Sequence, residues 1–228
     1  RHIGFGVKVL SELFEESDEC KEAAAELLRE VLPWVTGVFV PPGWDERYTT
    51  EYGFTLEQIY AFGMKSVEMK WKATGYPLSE MPGVYPFDPE MSHEDRAKNQ
   101  IKLLRAGVMG EPNGKPQVSP ELEEILFDII ARSARTDAVD RPVTIQWKFE
   151  DAQPWHVHID NGSTRSAPGL AEKADITLRT TWADWIDVSV RGQDARRAML
   201  RRKIKPRGSL RQLARMPKIF PPRPQPVE

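Results

Sequence analysis

His2, Phe5, Gly6, Val9 and Leu13 fall at i, i+3, i+4, i+7 and i+11, the spacing of one helical face, and predict an amphipathic helix that breaks near Ser17. A second helix opens near Asp18 and places Cys20, Ala24, Leu27 and Val31 on one stripe, with Pro33 and the loop from Val38 to Gly43 as its end. The two read as a helical hairpin. A third helix has the clearest start: Thr55 and Gln58 make a capping box, Phe54 and Ile59 are spaced for a hydrophobic staple, and Gly75 with Pro77 mark its stop.

Residues 76–91 carry Pro77, Pro82, Pro86 and Pro89 together with Gly83, too many fixed φ angles for a helix or a central strand, so the stretch reads as a linker or a surface-hugging loop. A fourth helix follows Ser92 with Ala97, Ile101, Leu104 and Val108 on its buried side. The run Gly110-Glu111-Pro112-Asn113-Gly114-Lys115-Pro116 then interrupts the pattern, and the domain boundary is placed there. Residues 1–109 form one helical segment; residues 119–220 form the second domain.

In the second domain Ser119 as N-cap and Pro120 at the first helical position start a helix with Leu122, Ile125, Leu126, Ile129 and Ile130 on one side. The apolar period then changes from 3.6 to 2. Val143, Ile145, Trp147 and Phe149 alternate with Thr144, Gln146, Lys148 and Glu150, and Trp155, Val157 and Ile159 alternate with His156, His158 and Asp160. Both are half-buried strands. Asn161-Gly162 predicts a two-residue hairpin turn, since both residue types tolerate positive φ. Ile176 and Leu178 supply another strand, and Thr181 with Asp184 open a helix bearing Trp182, Trp185, Ile186 and Ser189 on one face before Gly192. Asp194 caps a short helix with Ala195, Ala198 and Met199, Lys203 to Arg207 form a last strand, and Ser209 with Gln212 make a capping box ahead of Leu210, Leu213 and Ala214. Strands grouped together with helices around them predict an α+β layer, one sheet face covered by helices.

Composition adds limits. With 228 residues, 40% hydrophobic and 29% charged, the chain suits two soluble cores, and no apolar run approaches the roughly 20 residues a membrane span requires. Cys20 is the only cysteine, which excludes an internal disulfide or a Cys-based metal cage and fits a reducing, cytoplasmic setting. The opening Arg1-His2-Ile3-Gly4-Phe5-Gly6 has no initiator Met and no signal-peptide layout, so the chain reads as truncated or processed. A net charge of −2 hides an acidic start, from Glu12 to Glu30, and a basic end that includes Arg191, Arg196, Arg197, Arg201, Arg202, Lys203, Lys205, Arg207, Arg211, Arg215 and Lys218. That end admits a solvated helix face, a nucleic-acid footprint or a surface for anionic lipid headgroups. It lacks the aromatic residues that stack bases, so a nucleic-acid partner is not expected.

Few residues invite chemistry. His2 lies on the apolar face of the first helix, where a metal ligand of a bundle would project, although a lone histidine at such a place is more often an ordinary core or terminal residue. His156 and His158 share the polar face of one strand and read as surface histidines, while Glu15 with Glu16 and Glu123 with Glu124 read as solvated charges on polar helix faces. No nucleophile elbow, P-loop or dinucleotide fingerprint occurs, and no catalytic residue is assigned.

Trp155-His156-Val157-His158-Ile159-Asp160-Asn161-Gly162 is followed in order by Ala174-Asp175-Ile176-Thr177-Leu178, Asp184, Gly192, Asp194 with Ala198, Lys203-Ile204-Lys205, Gly208, and Leu210 with Leu213. This series resembles the sterol carrier protein two family. The resemblance implies a five-stranded sheet with helices over one face, enclosing an apolar tunnel for fatty acyl chains, acyl-CoA or sterols. Trp147, Phe149, Ile176, Leu178, Trp185, Ile186, Met199, Leu210 and Leu213 lie on predicted inward faces and become the candidate lining. Periodicity alone does not separate a filled core from a tunnel. The resemblance favours the tunnel. Pro206 departs from it, because it removes a ladder donor inside the proposed last strand.

Arg1-His2-Ile3-Gly4-Phe5-Gly6-Val7 resembles the end of the Glu-x-Arg-His motif of ferritin-like di-iron oxidases related to the ribonucleotide reductase small subunit, and Gly53-Phe54-Thr55-Leu56-Glu57-Gln58 resembles later helices of that family. The resemblance implies that residues 1–75 are part of a ferritin-like bundle, that His2 is an iron ligand, and that a longer parent is a di-iron oxidoreductase acting on a lipid-like substrate. The chain alone is then expected to be inactive and to hold no cofactor. Alternatively, the helical segment serves assembly as a homodimer and the C-terminal core is packed without a ligand.

Overall fold

The computed structural model describes residues 2–39, 46–78, 88–109, 115–160 and 162–220. Several features read from sequence lie wholly or partly outside them: Arg1, the loop from Val38 to Gly43, most of the Pro-rich stretch 76–91, the run 110–116, and Asn161 of the hairpin turn. The chain divides into two compact units, Arg1–Ile101 and Lys102–Glu228.

The first unit is helical. It contains α1 (His2–Glu16), α2 (Asp18–Phe39), α3 (Arg47–Glu51), α4 (Leu56–Ala73) and most of α5 (His93–Arg105). Phe14, Leu28 and Tyr76 are buried together, with Leu10, Cys20, Ala24, Ala25, Trp71 and Leu78 packed against them. The face of α1 is therefore rotated from the predicted one, with Phe5 72% exposed, whereas on α2 Cys20 and Ala24 pack as predicted but Leu27 is 59% exposed. Helix α1 carries apolar residues around most of its circumference, so its spacing alone offered two stripes. Helix α2 runs through Pro33 to Phe39 rather than ending at the proline.

The capping box of α4 is present: Thr55 Oγ1 accepts from the Gln58 N–H, and Gln58 Oε1 accepts from the Thr55 N–H. Phe54 is exposed, so no buried staple accompanies it. Leu56, Tyr60, Met64 and Glu68 recur every four residues on the buried face of α4. The carboxylate of Glu68 accepts from Arg96 Nη1 at 2.6 Å and Nη2 at 3.2 Å, with His93 Nε2 at 2.8 Å from Oε2. Pairing and hydrogen bonding together make that burial tolerable.

The second unit is the α+β domain. Helix α6 (Pro120–Ser133) leads into β1 (Val143–Phe149), β2 (Trp155–Asp160), β3 (Ser163–Pro168) and β4 (Ile176–Thr180), then α7 (Trp182–Ser189), α8 (Ala195–Leu200), β5 (Lys205–Gly208) and α9 (Leu210–Ile219). The sheet order is β3-β2-β1-β4-β5; β1 and β4 are parallel and the other neighbours antiparallel. The core of this unit also takes in Leu103, Ala106, Val108 and Met109, ahead of the break placed at 110–116. The Gln117 N–H donates to the Ala106 carbonyl at 2.8 Å and Arg191 Nη2 to the Gly107 carbonyl at 2.8 Å, which ties that segment down.

The helices start where side chains cap them. Ser119, Thr181, Asp194 and Ser209 each accept backbone N–H groups of the following turn. At Ser209 only half of the expected capping box forms, because the Ser209 N–H donates to the Asp175 carbonyl at 2.9 Å, which leaves Gln212 Oε1 buried with no partner among the described residues. Pro206 sits on β5 at the sheet edge, where the missing N–H is tolerated. At the same strand's end Gly208 has φ +112, and a Cβ there would lie 2.2 Å from the Asp175 carbonyl oxygen. Asp175 itself joins β4 to β1: its Oδ2 accepts the Thr144 N–H at 2.9 Å and its Oδ1 accepts Arg141 Nη2 at 2.7 Å. Burial pushes this carboxyl up, but the Thr144 N–H and the Arg141 guanidinium outweigh it and hold it below the usual range.

Candidate ligand site in the aromatic core

One sheet face is packed against α6 and α7 around a cluster of rings. Phe127 of α6 stacks on Trp155 at 4.9 Å with an interplanar angle of 2° and meets Trp147 edge-on at 5.3 Å. Trp147 contacts Trp185 at 5.3 Å, and Phe149 contacts Trp182 at 5.5 Å. Burying a side chain of the size of Phe127 or Trp147 contributes about 1.5–3 kcal/mol in transfer free energy.

Of the nine candidate lining residues, Trp147, Ile176, Leu178, Trp185 and Ile186 are buried in one continuous core, and Phe149, Met199 and Leu213 are half-buried at its margin. Leu210 does not join them and is 80% exposed. It is the first residue of α9, and a helical Cα–Cβ bond tilts toward the N-terminus, here away from the core.

The polar groups of this core divide sharply. Trp155 Nε1 donates to Glu123 Oε2 at 2.9 Å, and Trp182 Nε1 donates to the Gln117 carbonyl at 3.0 Å. Trp147 Nε1 and Trp185 Nε1, equally buried, have no hydrogen-bond partner among the described residues. Glu123 is therefore not the solvated charge that its neighbour Glu124 is; it is 2% exposed. It lies four residues before Phe127, on the same helical face, and that spacing was the available signal for it.

The opposite sheet face is more polar but partly covered. Gln146, expected to alternate outward, is 2% exposed; its Nε2 donates to the carbonyls of Trp155 and Gly169, and its Oε1 accepts the Ala171 N–H. His158 Nδ1 lies 2.9 Å from Thr144 Oγ1, and His156 Nδ1 lies 3.3 Å from the Gly169 carbonyl, so both histidines are held locally rather than gathered.

His2 is exposed, and among the described residues no group of three or more His, Cys, Asp or Glu side chains could hold a metal ion. The described residues thus do not fit an iron centre. Much of the basic end is engaged in ion pairs: Arg211 and Arg215 with Asp140, Lys203 with Asp184, Arg191 with Asp187 and Lys205 with Glu150. Arg196, Arg197, Arg201 and Arg202 are exposed on and after α8 beside Leu200, which is 84% exposed. Arg197, Arg201 and Lys203 line a surface cavity of about 380 Å³ with Gln193, Asp194 and Ala198. Among the described residues no helix is long and apolar enough to cross a membrane.

Residues 129–221 match the model of the SCP-2 sterol transfer family. No curated protein matches the chain. Among solved structures, the stereoselective inverting sec-alkylsulfatase Pisa1 from Pseudomonas sp. is 18% identical over 77% of this chain and 31% of its own, with a TM-score of 0.39. The apo form of sterol carrier protein 2 from Yarrowia lipolytica is 18% identical over 46% of this chain and 93% of its own, at 0.34. A UbiJ-SCP2 ubiquinone synthesis protein is 10% identical over 45% and 79%, at 0.33. The chain thus spans less than a third of the alkylsulfatase. With TM-scores this low, the assignment rests on the family match and not on these structures. That match includes no residue of the segment likened to di-iron oxidases. The similarity to the SCP-2 sterol transfer family thus extends over residues 129–221, less than half of the chain.

Proposed function

We propose that the C-terminal domain binds a lipid-like molecule, a fatty acyl chain, an acyl-CoA or a sterol, within the core formed by β1, β4, α6 and α7. The family match over residues 129–221 carries this reading. The physical support is a large aromatic and aliphatic interior whose margin, at Phe149, Met199 and Leu213, is only half-buried and offers a route for an apolar tail. Binding by burial of apolar area at about 25 cal/mol per Å² makes affinity rise with chain length.

The test is a titration of the full chain with fatty acids of increasing length, followed by tryptophan fluorescence, alongside organic extraction of the purified protein. Affinity climbing with length supports the reading, as does Leu213→Trp weakening binding in a folded protein. Folded protein that carries no lipid and binds no chain length establishes a filled core instead.

The exposed arginines around Leu200 support a docking surface for anionic membranes, from which such a ligand would be collected. Salt-sensitive co-sedimentation with phosphatidylserine vesicles, and none with phosphatidylcholine, is expected. Equal binding to both returns these residues to a solvated face. An oxidase role for a longer parent remains a separate proposal resting on the sequence around His2. A bound metal in the full-length parent would support it, whereas metal-free full-length protein with a dimer interface on residues 1–75 would favour assembly.

A further inference from the structure

Four tryptophans stand in the core of the second unit: Trp147, Trp155, Trp182 and Trp185. An indole N–H buried without an acceptor loses its hydrogen bond to water, and buried tryptophans accordingly find partners. Trp155 and Trp182 do so, through Glu123 and the Gln117 carbonyl. The two that do not, Trp147 and Trp185, are the two whose rings touch each other, at 5.3 Å and 59°. They come from different elements, β1 and α7, and are 0% and 8% exposed. Two orphan donors on adjoining rings within an otherwise apolar cluster define an unmet demand for an acceptor.

The surroundings restrict what that acceptor is. The carboxyl of Glu123 bonds to Trp155, which stacks on Phe127, and Phe127 in turn contacts Trp147. Among the described residues, Trp147 touches the rings of Phe127 and Trp185, and no cation–π contact to either indole is present. An anionic ligand end placed there would be desolvated without a counter-charge and would share the core with a carboxyl group, a cost of several kcal/mol. A neutral oxygen carries no such cost. A carbonyl oxygen has two lone pairs and matches two N–H donors.

We infer that the ligand places a neutral carbonyl oxygen, that of an ester or a ketone in an otherwise apolar molecule, against Trp147 Nε1 and Trp185 Nε1. This rests on the lipid-binding reading and adds the chemical class of the buried ligand end. The two indoles orient the ligand, and the aliphatic lining supplies the bulk of its affinity.

Methyl palmitate, hexadecane and palmitate, each delivered from phosphatidylcholine vesicles to the full chain, separate the possibilities. Methyl palmitate is expected to bind about tenfold more tightly than hexadecane, since each indole hydrogen bond is worth a factor of about three, and also more tightly than palmitate. Trp147→Phe and Trp185→Phe, which remove the donor and keep an aromatic ring, should each cut the ratio of ester to hexadecane affinity to about threefold, whatever the change in absolute affinity that the smaller ring brings. In protein labelled with nitrogen-15 at tryptophan, two indole N–H proton resonances should move downfield with the ester and not with hexadecane. This readout needs no variant to fold. Equal affinity for ester and alkane, tighter binding of palmitate, or unmoved indole resonances overturns the inference while leaving lipid binding intact. Failure of all three probes to bind overturns both.

Discussion

Glu123 and Trp155 meet across the α6–sheet interface as a buried acceptor and donor 2.9 Å apart, with Trp155 stacked on Phe127 one helical turn after Glu123. Helix α6 is thereby held in register over the sheet by a polar contact as well as by apolar packing. Glu123→Ala strands the indole N–H and leaves a void, and should destabilise the second unit by about 2–4 kcal/mol. Glu123→Gln keeps an acceptor and should recover more than half of that. Urea denaturation of both variants checks the pair, and equal losses would show that the hydrogen bond is unimportant.

Breaking the Glu68–Arg96 pair in the first unit should be costly. Arg96→Ala leaves a carboxylate that is 7% exposed without its main counter-charge and is expected to cost about 3–5 kcal/mol. Replacing both residues by Met should recover most of this, because the desolvation penalty then disappears with the attraction. Thermal unfolding of the single and double variants tests the order.

Gly208 and Gly192 make a controlled comparison of backbone strain. Both have positive φ, +112 and +73, but only Gly208 has a backbone oxygen in the place of a Cβ. Gly192→Ala should cost about 1 kcal/mol through its φ alone, whereas Gly208→Ala should cost clearly more, because β5 must shift from β4. Similar denaturation midpoints for the two would contradict the clash.

Asp175 links stability to acid. Its folded carboxyl titrates below the ordinary 3.8, so its contribution is present above that value and is lost as pH falls through the lower folded value. Asp175→Asn should be less stable than the parent near neutrality and lose less further stability below pH 3.8. Parallel stability curves for the two proteins over that range would exclude the role.

Most elements of the second unit were legible from sequence because local signals agreed there: N-caps at Ser119, Thr181, Asp194 and Ser209, period-two strands, and Gly162 at its turn with φ +88. The buried face of α1 was not, because its apolar residues spread over more than one stripe and the choice of stripe depends on which neighbour covers it. In the candidate site the inward residues of β1, β4 and α7 followed from alternation and helical spacing. Glu123, Gln146 and the two orphan indoles did not, since what settles a polar group's burial is a partner distant in sequence, Trp155 for Glu123 and Ala171 for Gln146. Leu210 misled because spacing gives a direction around the helix axis and says nothing of whether the first turn has anything beneath it.

The central place of β1 also sets an order in time. Its antiparallel partner β2 follows it directly, and β3 follows β2, so these pairings close short loops at small entropic cost. Its parallel partner β4 arrives only after β2 and β3 have been passed, and β5 only after two more helices. Non-local pairings of this kind form slowly. Pulse-labelling hydrogen exchange during refolding should find amides of β1 to β3 protected before those of β4 and β5. Until the late half docks, the indoles of Trp147 and Trp185 are apart, so the contact between them is among the last parts of the aromatic core to form.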